Sequence, residues 1–472
     1  MHESDLRVEG GVIQGEVKPR GDFAVTFGLG DIRVAARAEW LIEQIVATGS
    51  LVVRELGGTR AGEMAVHRFL SSPYSSVEGI VETLASRTAQ QCVGRRVVAI
   101  QDTSEVNFKG RAAKRRGLGP GGNGKDPGFF LHPVIAVDVE EEAVIGLVGA
   151  QIWTRGSVPV GERRGRALAE KESMRWHDGC TTAARVLAEA AAVTMIADRE
   201  SDIWELFTER PDNLDLILRS AQNRSLAGGG RLFAALDDAP ELTRRRILVP
   251  PSRPGERSRE ATLAIKAGSV QIARPKSRKA EPGAVRTVTL TLVQAIEIDP
   301  PDPKQTIAWR LLTTHPADGA DAATEIIDLY RLRWRIEQVF RALKSDGLGL
   351  EDTQLADAER LFILAAMGLA AAVRTLQLVD ARDGSPRPAT DVVDPDLLAP
   401  LAAISRSLEG NTPRQKNPHA PTSLAFLSWV TARLGGWNCY GKPPGPKTMH
   451  NGWKRLAPML HGYALATQAK LP

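Results

Sequence analysis

Tyr330 to Lys344, YRLRWRIEQVFRALK, sets an aromatic hydroxyl, cations and a carboxylate at spacings that suit one helix face. At about 100° per residue, Tyr330, Arg333, Glu337 and Lys344 fall within about 60° of one another. Ile336, Val339, Phe340 and Leu343 form the neighbouring apolar stripe, so the spacing predicts one helix packed on a sheet. The carboxylate is a hard oxygen ligand for Mg²⁺ or Mn²⁺. Arg, Lys and Tyr beside it suit a phosphodiester. A solvated, salt-bridged helix face is the plain alternative.

Two further acids each end an apolar run. VVAIQD closes on Asp102 and VTMIAD on Asp198. Either alone reads as a turn cap. Together with Glu337 they form the set that two-metal phosphoryl transfer needs, about three carboxylates converging on two cations about 4 Å apart.

The strands and helices that carry these acids follow from the hydrophobic pattern. VVAIQD, FFLHPVIAVD (Phe129 to Asp138) and AVIGLVGAQIW (Ala143 to Trp153) read as an antiparallel meander. An Ala-rich helix from Thr181 to Ala192, the strand ending at Asp198, a helix over ESDIWELFTE and a strand over LDLILRS follow. The expected fold class is therefore α/β, a mixed sheet with acids at strand ends, where open-sheet sites sit. Residues 91–369 form this domain. Within it, about 228–303 reads as a β-rich insertion with a cationic face, with twelve Lys/Arg against three Glu from Arg244 to Arg286. Residues 1–90 read as a small helical domain. Its first twenty residues are polar, Asp31 is an N-cap, and Arg33, Arg37, His67 and Arg68 are candidate phosphate contacts. Residues 370–472 read as a second helical region with an apolar load suited to packing or self-association.

The bulk numbers are compatible with this. The 472 residues carry a net charge of +5 with 43% hydrophobic residues, which permits nucleic acid without demanding it. Cys92, Cys180 and Cys439 are far apart with no CxxC, which argues against a disulfide framework or zinc site and suits a reducing cytosol. The start lacks the apolar core of a signal peptide, and no unbroken run of about 18 apolar residues occurs, so no membrane span is expected. GLGPGG at Gly117–Gly122 follows a basic run and contains Pro120, so it is no dinucleotide loop. GNGKD lacks the Ser/Thr of a nucleotide loop after Lys125. No nucleotide cofactor is expected. The stretch with Lys109, Arg111, Lys114, Arg115 and Arg116 reads instead as a basic loop that can approach DNA, with a solvated loop as the plain alternative.

Tyr330, Arg333, Glu337 and Lys344 match Y-x2-R-x3-E-x6-K without a gap. In this the chain resembles the bacterial cut-and-paste insertion-sequence transposases of the DDE superfamily that carry the YREK signature. IQDTS around Asp102 and IADRESDI around Asp198 resemble the two acid blocks. EKESMRW, the FGLGDIRVAARA segment holding Arg33 and Arg37, and SWVTARLGGW extend the resemblance over nearly the whole chain. It implies an RNase-H-like core flanked by an N-terminal DNA-end-binding domain and a C-terminal dimerisation domain. It further implies a protein acting on DNA in the bacterial cytoplasm, on double-stranded transposon ends and target DNA as a homodimer. The chemistry implied is metal-dependent cleavage through a hairpin intermediate, followed by strand transfer. Asp102, Asp198 and Glu337 would hold two Mg²⁺ ions, with Mn²⁺ able to substitute. Tyr330, Arg333 and Lys344 would hold phosphates, Trp309 would stack a flipped base, and Arg219 would lie near the DNA end. A catalytically silent DNA-binding relative that represses transposition and an RNase-H-like structure-specific nuclease are the alternatives.

Overall fold

The computed structural model of the chain describes residues 27–108, 115–122, 126–155, 173–249, 258–276, 283–344, 347–393 and 395–468. Lys109, Arg111, Lys114, Lys125 and the first residues of EKESMRW lie outside the described residues.

The strands are β1 (Arg96–Gln101), β2 (Ser104–Asn107), β3 (Gly119–Pro120), β4 (Pro127–Asp138), β5 (Ala143–Trp153), β6 (Ala192–Ala197), β7 (Asp215–Arg219), β8 (Thr243–Val249), β9 (Arg259–Ala273), β10 (Thr287–Glu297) and β11 (Ala308–Thr313). The helices are α1 (Ile32–Thr48), α2 (Val53–Gly57), α3 (Arg60–Leu70), α4 (Val77–Cys92), α5 (Met174–Val186), α6 (Trp204–Thr208), α7 (Ala320–Arg331), α8 (Trp334–Leu343), α9 (Ala358–Asp380), α10 (Leu398–Leu408), α11 (Leu424–Leu434) and α12 (Pro446–Gln468). Asp31 caps α1 by accepting from the Arg33 amide, as its sequence position predicts.

All the strands join one mixed sheet, in the order β2-β4-β1-β6-β7-β11-β10-β9-β8, with β5 and β3 on β4. The meander β1-β4-β5 is antiparallel, whereas β6 and β7 continue from β1 in parallel. The β-rich stretch does not stand apart from this layout. Its strands extend the same sheet, because β10 pairs with β11 and β11 with β7. Its charge is also less free than its composition suggests. Arg244, Arg245 and Arg259 pair with Glu241, Asp328 and Glu297, and Lys266 binds the Leu236 and Asp237 carbonyls.

The pleat sorts side chains to two faces. Val98, Ile100, Ile196 and Ile217 join the core made with α7, α8 and α9. Val97, Ala99, Met195 and Leu218 join the core under α5 and α6. α9 is the one described helix long and apolar enough to cross a membrane, although Arg374 and Thr375 interrupt its apolar sequence. Of that apolar window 83% is buried inside the protein, against α8, β5, α1, α4, α11 and α12. A helix packed on all sides needs no polar face, which accounts for its composition.

Three predicted helices differ from the observed ones. The Ala-rich helix begins earlier, at Met174. The stretch ESDIWELFTE breaks into a 3₁₀ turn, Arg199–Ser201, and α6. Its Asp202 is buried and accepts from Arg224 and from the Ala221 and Gln222 amides, which pulls it out of helical register. Tyr330 to Lys344 is likewise not one helix. Tyr330 lies in the last turn of α7, Arg333 sits at a break, Glu337 lies in α8 and Lys344 follows it. Around the break the amides of Leu332, Arg333, Arg335 and Ile336 bond three residues back, as in a 3₁₀ turn. α7 lies on β8, β9 and β10 while α8 lies on β1 and α9, and one straight helix cannot serve both surfaces.

Candidate active site

Asp102 and Asp198 owe their proximity to strand register. β1 and β6 pair with a constant offset from Arg96↔Ala192 to Ile100↔Ile196, which continues to Asp102 beside Asp198. β6 and β7 pair through Ala197↔Leu218, which continues to Asp198 beside Arg219. Two acids and an arginine thus stand level across three adjacent parallel strands, about 4.8 Å apart per strand. By alternation they point to the same face as Ile100, Ile196 and Ile217, the face covered by α8.

β1 stops at Asp102 for a local reason. β1 and β2 share one register on β4, Gln101↔Val134 and Ser104↔Leu131, so Asp102 lies opposite Pro133. Proline donates no amide, and the ladder opens there. The freed backbone turns, and the Thr103 amide donates to Asp102 Oδ1 at 2.7 Å. Asp198 Oδ1 accepts from the Glu200 amide at 2.9 Å, so it also caps its turn.

Arg333 joins the third acid to the first. Its guanidinium donates to Asp102 Oδ2 at 2.9 Å and to Glu337 Oε1 at 2.7 Å. Even so, the Asp102 carboxyl is pushed up to about 7. Burial is the largest cause and the Asp198 charge the next; Glu337 adds to them, while Arg333 and the Thr103 amide oppose.

Tyr330 is buried, with its ring edge-on to Trp309 at 5.5 Å and its hydroxyl within hydrogen-bonding reach of Arg219. Burial raises its phenol, Asp198 raises it further, and Arg333 and Arg219 oppose. Trp309 in β11 is half-buried against the core. Arg219 also donates to the Ala308 carbonyl at 3.1 Å. Asp102, Asp198, Glu337, Arg333, Arg219, Tyr330 and Trp309 therefore share one corner of the sheet.

Lys344 is turned away from that corner. It binds the Glu105 carbonyl, past Asp102 along β2, and its charged neighbours are Glu351 and Glu105. α8 ends at Leu343, so the helical phase of Lys344 does not govern its direction. Arg33 is exposed and pairs with Asp31 of its own cap, and Arg37 is half-buried; both ride on α1, which packs on α9 and α12. His67 is half-buried and Arg68 exposed on α3. Arg115 does not reach outward as a basic loop would. It is buried over the Phe108 ring and donates to the Thr353 and Leu355 carbonyls.

Several residues around the acids were given no role by the sequence, although Thr103 lies in IQDTS and Arg175 in EKESMRW. Trp334, at the break beside Arg333, is 43% exposed, unusual for so large an apolar ring. Thr103, His132 and Arg175 surround the Asp102 turn. Their contacts cross between elements, so no local spacing announces them.

A divalent cation fits the donors in chemistry, since all three acids offer hard oxygens, and it would offset the burial and the Asp198 charge that raise the Asp102 carboxyl. Among the described residues no three acid, imidazole or thiolate groups are gathered closely enough to hold an ion as the side chains stand. Arg333 lies between Asp102 and Glu337 and must move for both to share one.

The family model of the transposase DDE domain matches residues 242–374, the segment that carries Glu337, Arg333 and Tyr330. That match supports a DDE transposase, an enzyme acting on DNA from a family that uses divalent metals.

Proposed function

We propose that this chain cuts DNA at transposon ends and joins the freed ends to target DNA. Its proposed ligands for two Mg²⁺ ions, or Mn²⁺ in their place, are Asp102, Asp198 and Glu337. The observation that carries the reading is the level row of Asp102, Asp198 and Arg219 on parallel strands, with Glu337 tied to Asp102 through Arg333. A strand order of β5-β4-β1-β6-β7, with the first three antiparallel and the rest parallel, supports an RNase-H-like core.

Bound cations would activate the attacking oxygen and steady the leaving one. The chain's own residues do the rest. Arg333 and Arg219 offer guanidinium donors to a phosphate seated over the strand ends. Tyr330 holds its hydroxyl at the same corner and backs Trp309, whose ring would stack on an unpaired base and favour a hairpin intermediate. Lys344 would hold a phosphate further along the strand beyond Asp102. In this reading residues 1–90, with Arg33 and Arg37, grip the transposon end. Residues 91–369 form the catalytic domain, and residues 370–472 pair two copies.

A labelled duplex carrying the repeats that flank this reading frame tests the proposal on a denaturing gel. A hairpin in Mg²⁺ that resolves to a blunt end is expected. Binding without any nick, in Mg²⁺ or Mn²⁺, would overturn it.

A further inference from the structure

The two acid turns are joined by a side chain that belongs to neither. Arg175, in the first turn of α5, is only 10% exposed. Its Nε donates to Thr103 Oγ1 at 2.9 Å, the residue after Asp102. Its Nη2 donates to Glu200 Oε2 at 2.6 Å, the residue whose amide caps Asp198. One rigid guanidinium thus spans from the β1 end to the β6 end, on the sheet face opposite Glu337.

The far side of Thr103 is equally fixed. Its oxygen lies 2.9 Å from His132 Nδ1, and His132 Nε2 lies 3.1 Å from Gln101 Oε1. Gln101 Nε2 donates to the Trp176 carbonyl at 3.2 Å. Arg175 can only donate to Thr103, and Gln101 donates onward, so the bonds run one way: Thr103 hydroxyl to His132, His132 to Gln101, Gln101 to the backbone beside Arg175. That direction needs a neutral imidazole, and burial together with the Arg175 charge lowers His132 to about 3. The loop closes because α5 comes close to β1. At Gly179 a Cβ would stand 2.1 Å from Gln101 Oε1, so only glycine fits.

We infer that Arg175 is a positioning residue that sets the separation of the Asp102 and Asp198 turns, so that both carboxylates can reach shared divalent cations. The inference rests on the metal-site reading given above. Arg175 touches neither carboxylate, so its effect passes through Thr103 and Glu200. A planar fork with donors on two edges can hold both turns at once, whereas lysine offers a single point of attachment.

The test is Mn²⁺ binding, followed by the spectrum of the bound ion, in the full chain and in Arg175→Met and Arg175→Lys. DNA affinity without metal and the Mg²⁺ dependence of cleavage are measured alongside. Removing an outer partner of a metal ligand costs about 10–100-fold in affinity. Arg175→Met is expected to weaken Mn²⁺ by that range and to raise the Mg²⁺ needed for cleavage, with metal-free DNA binding unchanged. Arg175→Lys is expected to recover part of the loss. Thr103→Val reads the same contact from its other end and is expected to weaken Mn²⁺ in the same direction. If Arg175→Met folds and binds Mn²⁺ as the unaltered chain does, the positioning role is refuted. If it fails to fold, wild-type Mn²⁺ affinity in Thr103→Val refutes it instead. A wild-type chain that binds no ion overturns this inference together with the metal reading. One that binds ions through these acids yet cuts no DNA overturns only the proposed function.

Discussion

Replacing Asp102 by Asn should make the metal-free protein more stable at pH 8 while abolishing cleavage. The folded chain holds the Asp102 carboxyl at about 7 against an ordinary 3.8. Below about pH 4 both folded and unfolded chains are protonated there, and the group contributes nothing. Between about 4 and 7 the folded chain keeps a proton that the unfolded chain releases, so stability falls as pH rises, and above about 7 the penalty is constant. At about 1.4 kcal/mol per pH unit, the side chain removes about 3 kcal/mol of stability between pH 5 and pH 8. With about 2.1 cal/mol/K of unfolding entropy per residue, that is about 3 °C in Tm for a chain of this length. Asn keeps the shape and lacks the charge. Thermal melts in EDTA should therefore show the wild type losing about 3 °C more than Asp102→Asn over that interval. Saturating Mg²⁺ at pH 8 should raise the wild type and leave the variant unmoved. Parallel pH profiles for the two proteins would overturn this, because burial and the Asp198 charge would then not raise the Asp102 carboxyl in the folded chain.

Asp198→Ala should abolish DNA cleavage in Mg²⁺ and in Mn²⁺, and a gel showing intact cleavage would remove Asp198 from the metal site. Trp309→Ala should slow hairpin formation by about 5–150-fold, the equivalent of about 1–3 kcal/mol of base stacking, while first-strand nicking, followed on the same gel, is spared. Arg333→Ala should lower Tm in EDTA, since it leaves Asp102 and Glu337 without their shared cation, and added Mg²⁺ should restore more of the loss than it adds to the wild type. Gly179→Ala should destabilise the chain by about 1–3 kcal/mol through its clash with Gln101, measurable by denaturant unfolding.

Features written within a few residues were legible in the sequence. The apolar runs ending in Asp102 and Asp198 are strands, alternation sets which face each residue takes, and Asp31 caps its helix. The spacing from Tyr330 to Glu337 also survives the break, because a turn of 3₁₀ helix shifts the phase by only about 20° per residue. The rest depends on contacts between elements distant in sequence. Asp102, Asp198 and Arg219 become neighbours through ladder register between strands far apart in sequence, and nothing in the individual strands states that offset. The joining of the β-rich stretch to the main sheet is likewise a matter of edge pairing between β10 and β11. The break at Leu332 comes from two surfaces demanding two helix directions, and it frees Lys344 to turn toward Glu105. Arg175 and His132 lay hidden for the same reason. EKESMRW marks the segment that holds Arg175, but their roles are contacts across the end of a sheet, whose partners no local spacing gives.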